Sequence, residues 1–547
     1  MSLRPAGSEL IPAATREVAW AAFPKGSLAI RIRDELGVLF VDEDFAEAFS
    51  TRGQPALSPA RLALVSILQF TQNLSDRKAA EAVRARIDWK YALGLELTDP
   101  GFDHSVLCEF RLRLIDNGLE QRVFDAVLEH AREAGLVRSG GRQRTDSTHV
   151  LAAVRAMNRL EKVHETLRAA LNAPAVVAPD WLVTVAETEW WDRYDARTEE
   201  FRMPKQMATK VELANQIGAD GMRLLLAVYS KEAPPWLRNV PAVEILRRIW
   251  IQEFRDEEGR VRWRTSQEQP ASSARLVSPY DEDARVGVKR DTQWDGFKVH
   301  LTETCDDGEP HLITDVATTP APGSDYGVLP IVHEGLVERG LLPAEHLVDA
   351  GYMSADVVVA AKRDHNVEMV GPMMPGTSWQ KSGEGTIPVS AFTIDWDNET
   401  ITCPQGKISK RWAHEVDKGG REVIRVQFAR KDCTPCPVRP QCTRASIPRR
   451  RITLRVREQY EVLQQARTNQ DSPEWKARYQ ARQGIEGTIA QAVNGFRARR
   501  SRYRGTAKTH LQHLLTAAAI NLTRIDAWLM GMPLAPTRTS HFAALAA

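Results

Sequence analysis

Three acidic residues, far apart along the chain, have types and positions suited to binding divalent cations. Asp146 lies in the middle of a short segment rich in Thr and Val, where aspartate is disfavoured. Asp349 follows the apolar run 346–348, and Glu486 lies between two glycines. Carboxylates in such places contribute little to packing, and three of them together repel one another unless cations neutralise them. Oxygen ligands of this kind suit Mg²⁺ or Mn²⁺.

Two such ions, about 3.5–4 Å apart, can share a carboxylate and promote in-line displacement at a phosphodiester. The attacking group would be a water or a 3′-hydroxyl. For any one of the acids alone, a helix cap or a surface ion pair is the simpler interpretation. The three acids, taken with the order of the predicted elements, favour a centre with two Mg²⁺ (or Mn²⁺) ions per site.

The elements around these acids are predicted to form a mixed sheet with flanking helices. Segment 142–150 predicts the strand of Asp146, and alternating apolar residues around a turn at 306–308 predict a hairpin. Helices and strands then alternate over 325–339, 346–349, 354–363 and 367–370. A long helix starting at Ser472-Pro473 carries Glu486. This order predicts an α/β fold with an RNase H-like mixed sheet, an N-terminal helical domain and two insertions.

The predicted late helix places further side chains beside Glu486. At about 100° per residue, Tyr479 and Arg482 share its face, where they would contact a phosphate near the scissile bond. Gly484 and Gly487 each cost about 1 kcal/mol in helix propensity. They therefore predict either a close approach by another backbone or DNA, or helix packing through small residues.

A length of 547 residues, 43% hydrophobic and 26% charged, predicts three or four globular lobes and excludes disordered, collagen-like and disulfide-scaffold proteins. Residues 1–135 are predicted to be helical and to bind DNA ends, an ordinary helical bundle being the alternative. The other predicted units are a catalytic core of 136–150, 286–372 and 461–525, a helical insertion 151–285, a β-rich four-cysteine insertion 373–460 and a C-terminal tail 526–547.

The net charge of +2 points to no particular partner, but the distribution of cations does. Residues 441–457 and 497–508 each hold six cations and no acid, which favours contact with a polyanion over a solvated face. The predicted DNA-binding residues are Tyr479, Arg482, Arg497, Arg499, Arg500, Arg502, Arg504, Lys508, Lys298, Arg449, Arg450 and Arg451.

Four of the six cysteines form a C-x29-C-x2-C-x5-C pattern. They are Cys403, Cys433, Cys436 and Cys442. Four thiolates suit a structural tetrahedral Zn²⁺, with an iron–sulfur cluster or unmetallated thiols as alternatives. Clustered thiols, no signal-peptide pattern and no apolar run of membrane-spanning length predict a cytoplasmic, nucleoid-associated protein without a membrane partner.

Several stretches together resemble the insertion-sequence DDE transposases, over about residues 58–526. The matching stretches are FDHSVLCEFRLRL (102–114), TDSTHV (145–150), WDGFKVHLTET (294–304), HLVDAGYMS (346–354), CPQG with CTPCP, and YQARQGIEGTIAQAVNGFRARRSRYRGTAKTHLQH from Tyr479.

The resemblance implies a cut-and-paste transposase with the catalytic, metal-binding triad Asp146, Asp349 and Glu486. It also implies a late-helix signature of Tyr, Arg, Glu and Lys, in which Val493 stands at the Lys position and Arg497, one turn further, is a substitute cation. Such enzymes bind the terminal inverted repeats of their element, as a homodimer on two DNA ends, and catalyse phosphodiester hydrolysis and strand transfer.

Two other functions remain open at this point. A structure-specific metal-dependent nuclease would use the same core without strand transfer. A catalytically silent, domesticated DNA-binding protein would need no triad, and the presence of all three acids argues against it.

Overall fold

The computed structural model describes residues 2–3, 10–197, 203–289, 292–374, 379–383, 385–532 and 545. The α-helices of these residues are α1 (Ala13–Ala22), α2 (Leu28–Glu35), α3 (Pro59–Thr71), α4 (Asp76–Ala85), α5 (Ile87–Ala92), α6 (Ser105–Asp116), α7 (Arg122–Glu133), α8 (Arg159–Val177), α9 (Pro179–Val185), α10 (Thr188–Tyr194), α11 (Met207–Val228), α12 (Pro241–Glu253), α13 (Leu329–Glu338), α14 (Ala355–His365), α15 (Trp379–Ser382), α16 (Arg430–Cys433), α17 (Arg439–Cys442), α18 (Arg457–Asn469), α19 (Pro473–Gln480), α20 (Gly484–Phe496) and α21 (Thr506–Leu529).

The strands of the same residues are β1 (Arg142–Leu151), β2 (Phe254–Glu257), β3 (Arg260–Trp263), β4 (Arg285–Lys289), β5 (Thr292–Thr304), β6 (Ile313–Pro320), β7 (Glu345–Val348), β8 (Glu368–Val370), β9 (Thr393–Asp395), β10 (Thr400–Thr402), β11 (Arg411–Val416), β12 (Glu422–Gln427) and β13 (Arg451–Arg455). The strand predicted over 142–150 and the hairpin of β5 and β6 are both present.

The central sheet has six strands, with β1 between β5 and β7. Strand β5 is antiparallel to β1, β4 and β6, whereas β1, β7 and β8 run parallel. Helix α13 precedes β7 and α14 precedes β8, as the alternating pattern predicted. The predicted mixed α/β fold is therefore confirmed at this level.

Most of the buried apolar residues belong to three separate hydrophobic clusters. The largest joins the N-terminal helices to the central sheet and to α21. A second lies among α8–α12 with β2 and β3, and a third lies among β9–β13. Each of the two stretches predicted as insertions thus has an apolar cluster of its own.

The late helix differs from the sequence prediction of one continuous helix. Ser472 caps α19 as expected, but a 3₁₀ turn over Ala481–Gln483 separates α19 from α20. The carbonyl of Ala481 accepts a hydrogen bond from Arg144 Nη1 (2.6 Å) as well as one from the backbone N–H of Gly484, three residues on. Further on, α21 extends to Leu529 and so passes the predicted start of the C-terminal tail at 526.

Buried histidines make the fold sensitive to acid. Burial lowers the pKa of His300 to about 4 and that of His513 to about 3. The unfolded chain binds protons near pH 6.5 and the native state does not, so stability falls as the pH drops from 6.5 towards 4. The loss is at most about 1.4 kcal/mol per pH unit for each histidine. The urea midpoint should fall across this window and less steeply in His513→Gln; a constant midpoint would contradict this.

Candidate catalytic centre

Asp146, within β1, and Asp349, directly after β7, lie beside each other at the point where these two parallel strands stop pairing. Strand β1 pairs with β7 up to Thr145 and Val348, so the next residue of each strand is one of the two acids. The Asp349 carboxylate accepts a hydrogen bond from the backbone N–H of Gly351 (2.8 Å), within the turn that follows β7. The sheet register therefore places two of the three predicted acids together.

The Asp146 side chain is only 14% exposed, and this burial raises the pKa of its carboxyl above the usual range. The charge of Arg482 and the N–H of Ser147 act in the opposite direction, while the negative charge of Asp349 raises the pKa further. A buried carboxylate next to a second negative charge stays ionised only if a neighbouring cation stabilises its charge.

Glu486 lies in the first turn of α20 and is linked to Asp146 through Arg482. The Arg482 Nη2 atom donates to Oδ2 of Asp146 (2.5 Å), and its Nη1 atom donates to Oε1 of Glu486 (3.0 Å). Glu486 is 67% exposed, whereas Arg482 is 11% exposed. The cation between these two carboxylates is therefore a guanidinium.

Tyr479 faces the same three acids. Burial raises the pKa of its hydroxyl, the charge of Arg482 opposes that rise, and the charges of Asp349, Asp146 and Glu486 add to it. Its ring stacks on Trp475, with centroids 4.8 Å apart. Tyr479 and Arg482 thus lie next to the acids although the helix between them is interrupted.

A further acid lies beside Asp349, one that sequence reasoning missed. Asp325 and Asp349 both approach the Cα of Gly351, where a Cβ would lie 3.3 and 3.1 Å from their oxygens. Asp325 forms an ion pair with Lys298 (2.9 Å). The only sequence signal was the predicted start of a helix at this residue, which does not indicate a site.

Of the predicted DNA-binding cations, five near the end of α20 are exposed: Arg497, Arg499, Arg500, Arg504 and Lys508. The segment is attached to β1, since Leu151 and residues 499 and 501 exchange backbone hydrogen bonds. Arg499 also donates to the Thr148 hydroxyl (2.9 Å). Arg499 and Arg500 therefore lie beside the strand that carries Asp146.

The sequence predicted that Arg497 continues the helical face of Glu486, and the structure shows that it does not. It is the residue after α20 and has a left-handed backbone (φ 55°), so the helix has already ended. Its side chain is exposed. It is therefore not a one-turn replacement for a Lys at position 493.

Three other predicted DNA contacts have their charged groups engaged inside the protein. Arg502 donates to Asn73 and Leu74 and lies 4.5 Å from the ring centroid of Phe70. Arg450 is 5% exposed and donates to the carbonyl of Cys442 (2.5 Å). Lys298 is held by Asp325, as described above. Because their charged groups already have partners inside the protein, these three residues are not part of the proposed DNA-binding surface.

The other two predicted DNA-binding arginines of the four-cysteine insertion (373–460, here the cysteine lobe) differ in exposure. Arg451 is exposed at the start of β13, and Arg449 is half-buried. Trp412 packs against the apolar cluster of this lobe and forms an edge contact with Trp396 (5.6 Å). The guanidinium of Arg444 lies 4.0 Å from the ring centroid of Trp379.

The four cysteines of the sequence pattern line one cavity of about 230 Å³. All four are half-buried, and none forms a disulfide. Burial raises the pKa of the Cys442 thiol, and the proximity of the thiols of Cys403, Cys433 and Cys436 raises it further. Across the described residues, however, no group of three or more His, Cys, Asp or Glu side chains is arranged to hold a metal ion.

Two segments of the chain match known protein families. Residues 402–526 match the family described as Transposase DDE domain. Residues 18–113 match the Transposase domain (DUF772) family. The matches support an insertion-sequence transposase. The first covers the four cysteines and Glu486, but neither Asp146 nor Asp349.

A transposase DDE domain implies a metal-dependent enzyme that cleaves and joins DNA, so DNA is the implied partner. No curated protein matches the chain. Within the described ranges, no helix combines the length and the apolar character needed to cross a bilayer.

Proposed function

We propose that the chain is a DNA transposase of RNase H-like fold that uses Asp146, Asp349 and Glu486 to bind two Mg²⁺ (or Mn²⁺) ions. The observation that carries this proposal is Arg482, which pairs with both Asp146 and Glu486, while the β1–β7 register puts Asp349 next to Asp146. Two transposase-family matches support it. The strand order β6-β5-β1-β7-β8, with the last three strands parallel, supports the RNase H-like assignment.

Carboxylate oxygens are the ligands that hard divalent cations prefer, and Arg482 occupies the place between Asp146 and Glu486 that an ion would take. When bound, the ions activate the attacking oxygen and stabilise the leaving oxygen of a phosphodiester. Asp146 and Asp349 would hold them from the sheet and Glu486 from α20. Arg482, once released, and Tyr479 would contact a phosphate next to the scissile bond.

The N-terminal helices, of which residues 18–113 match a transposase domain family, are proposed to bind the terminal inverted repeats of the element. The exposed cations of 497–508 would guide the DNA towards Asp146. Because two element ends must be processed together, the active form is proposed to be a homodimer on two DNA ends. The proposed division of the chain is the one predicted from the sequence, except that α21 runs to Leu529 and so enters the predicted C-terminal tail.

A strand-transfer assay tests the proposal. The chain is incubated with Mg²⁺, the ends of its own element and a target plasmid, and joined donor–target product is measured. Joined product is expected from the natural chain and not from Asp146→Asn. Cleavage without joining would favour the structure-specific nuclease, and end binding without either reaction would favour the domesticated DNA-binding protein.

The affinity for DNA ends is expected to depend strongly on salt. If the five exposed cations of 497–508 contact about five phosphates, log Kd against log salt concentration should have a slope of about 4.5 in magnitude. Arg500→Gln should reduce that magnitude by about 1. The control is Arg255→Gln, because Arg255 already pairs with Glu257 and Glu268 and should leave the slope unchanged. A slope near zero in the natural chain would rule out this surface.

We also propose that the four clustered cysteines bind one structural Zn²⁺. Their shared cavity and mutual proximity support this, since four thiolates are a complete tetrahedral zinc donor set. Metal analysis of the purified chain should give about one zinc per chain. Cys442→Ala should lose it and unfold its lobe more easily, whereas the exposed Cys108→Ala should retain it. A brown, iron-containing protein would indicate an iron–sulfur cluster instead, and a metal-free one would indicate free thiols.

A further inference from the structure

Arg144 joins the strand of Asp146 to the segment that carries Glu486. It lies on β1, two residues before Asp146, and its side chain is 6% exposed. Its Nε atom donates to Oε1 of Glu303 (2.7 Å), its Nη1 atom donates to the carbonyl of Ala481 (2.6 Å), and its Nη2 atom lies 3.2 Å from Nδ1 of His311. The guanidinium is thus fixed on three sides.

Gly484, the first residue of α20, rests directly on this guanidinium. A Cβ at Gly484 would overlap with the Nη1, Cζ and Nη2 atoms of Arg144. A Cβ at Gly487 would meet no atom within 4 Å. Of the two glycines that flank Glu486, only Gly484 is therefore required by a close approach, and the approaching group is a side chain.

Glu303 forms a second connection to the same helix. It is fully buried on β5, opposite Arg144, and accepts hydrogen bonds from the Thr488 hydroxyl (2.5 Å) and from Arg524 Nη1 (2.8 Å). Thr488 lies two residues after Glu486. The helix of Glu486 is therefore bound to the sheet on both sides of that residue.

We propose that Arg144, through its contacts with Gly484, Ala481 and Glu303, is a positioning residue that sets the distance of Glu486 from Asp146. Arg144 and Asp146 belong to one strand, so whatever fixes α20 to Arg144 also fixes Glu486 relative to Asp146. This inference rests on the proposed function, because it concerns the same three acids. An exposed carboxylate on a helix needs such support to bind an ion together with acids on the sheet.

The two glycines provide a matched pair of variants for the test. Gly484→Ala and Gly487→Ala make the same chemical change in the same helix turn, but only the first displaces Arg144. Mn²⁺ binding to the full chain without DNA is measured by the electron paramagnetic resonance signal of free Mn²⁺. Gly484→Ala is expected to weaken Mn²⁺ binding at least tenfold and Gly487→Ala less than twofold, with end binding by both within about twofold of the natural chain.

Arg144→Lys gives a second route to the same answer. It keeps a cation for Glu303 but cannot reach Ala481 and His311 as well, so a similar loss of Mn²⁺ affinity is expected. This variant decides the matter if Gly484→Ala does not fold. Equal Mn²⁺ affinity in Arg144→Lys and the natural chain, or in the two glycine variants, would overturn the inference.

Asp349→Asn in the same titration separates this inference from the proposed function. If Asp349→Asn leaves Mn²⁺ binding unchanged, the ions bind elsewhere and the proposed catalytic centre fails. If Asp349→Asn removes binding while Gly484→Ala and Arg144→Lys do not change it, the centre stands and only the positioning role of Arg144 fails.

Discussion

Asp349→Asn is expected to lower the rate of cleavage at element ends by about 10³-fold or more, a loss of about 4 kcal/mol in transition-state stabilisation. Asp349 directly follows β7, adjoins Asp146 where β1 and β7 stop pairing, and is half-buried. Asparagine has the same shape but lacks the charge that a divalent cation requires. Binding to DNA ends should stay within about twofold, because the exposed cations lie on other elements.

The measurement is single-turnover cleavage of a labelled element end at saturating protein and Mg²⁺. The control is Asp356→Asn at the start of α14, where the carboxylate is exposed and contacts Arg455 and Gln459. That variant should cleave at nearly the natural rate. Unimpaired cleavage by Asp349→Asn would exclude Asp349 from the catalytic centre.

Glu303→Ala is expected to lower the free energy of unfolding by about 3–5 kcal/mol. Glu303 is fully buried and is the shared acceptor of Arg144 and Arg524, so its removal leaves two buried guanidinium groups without their carboxylate. Urea unfolding of the full chain measures the change.

Glu244→Ala is the comparison for this stability effect. Glu244 pairs with Arg247 three residues along α12, and both side chains are about 40% exposed. Surface pairs of this kind contribute about 0–1 kcal/mol, so the urea midpoint should barely move. If both variants lost the same small amount of stability, the buried network would not hold α20 to the sheet.

The sequence identified the residue types of the candidate centre but not the contacts among them. Isolated acids at strand ends and between glycines were visible, as was Arg482 four residues before Glu486. Arg144 and Glu303 were missed because each looks ordinary alone. Glu303 is a carboxylate near the end of the predicted strand, but its arginine partners are 159 and 221 residues away along the chain.

The two basic clusters, 441–457 and 497–508, show the same difference between what the sequence predicts and what packing decides. Each basic cluster contains six cations in the sequence, but burial decides which of their side chains reach solvent. Arg502 and Arg450 are turned inward by contacts with Asn73 and Cys442, whereas Arg499 and Arg500 stay exposed beside β1. Exposure depends on packing between distant segments, which local composition does not encode.

By itself, the sequence determined the mixed α/β order of elements, the strand of Asp146, the capped start of α19 and the thiol pattern, because hydrophobic period, turn residues and caps act over a few neighbouring residues. Only the tertiary structure decided that Arg482 lies between Asp146 and Glu486, that a 3₁₀ turn interrupts the late helix, and that Gly484 accommodates Arg144. Those features arise where segments more than 300 residues apart come within hydrogen-bonding distance, and there one missing methyl group decides whether they fit.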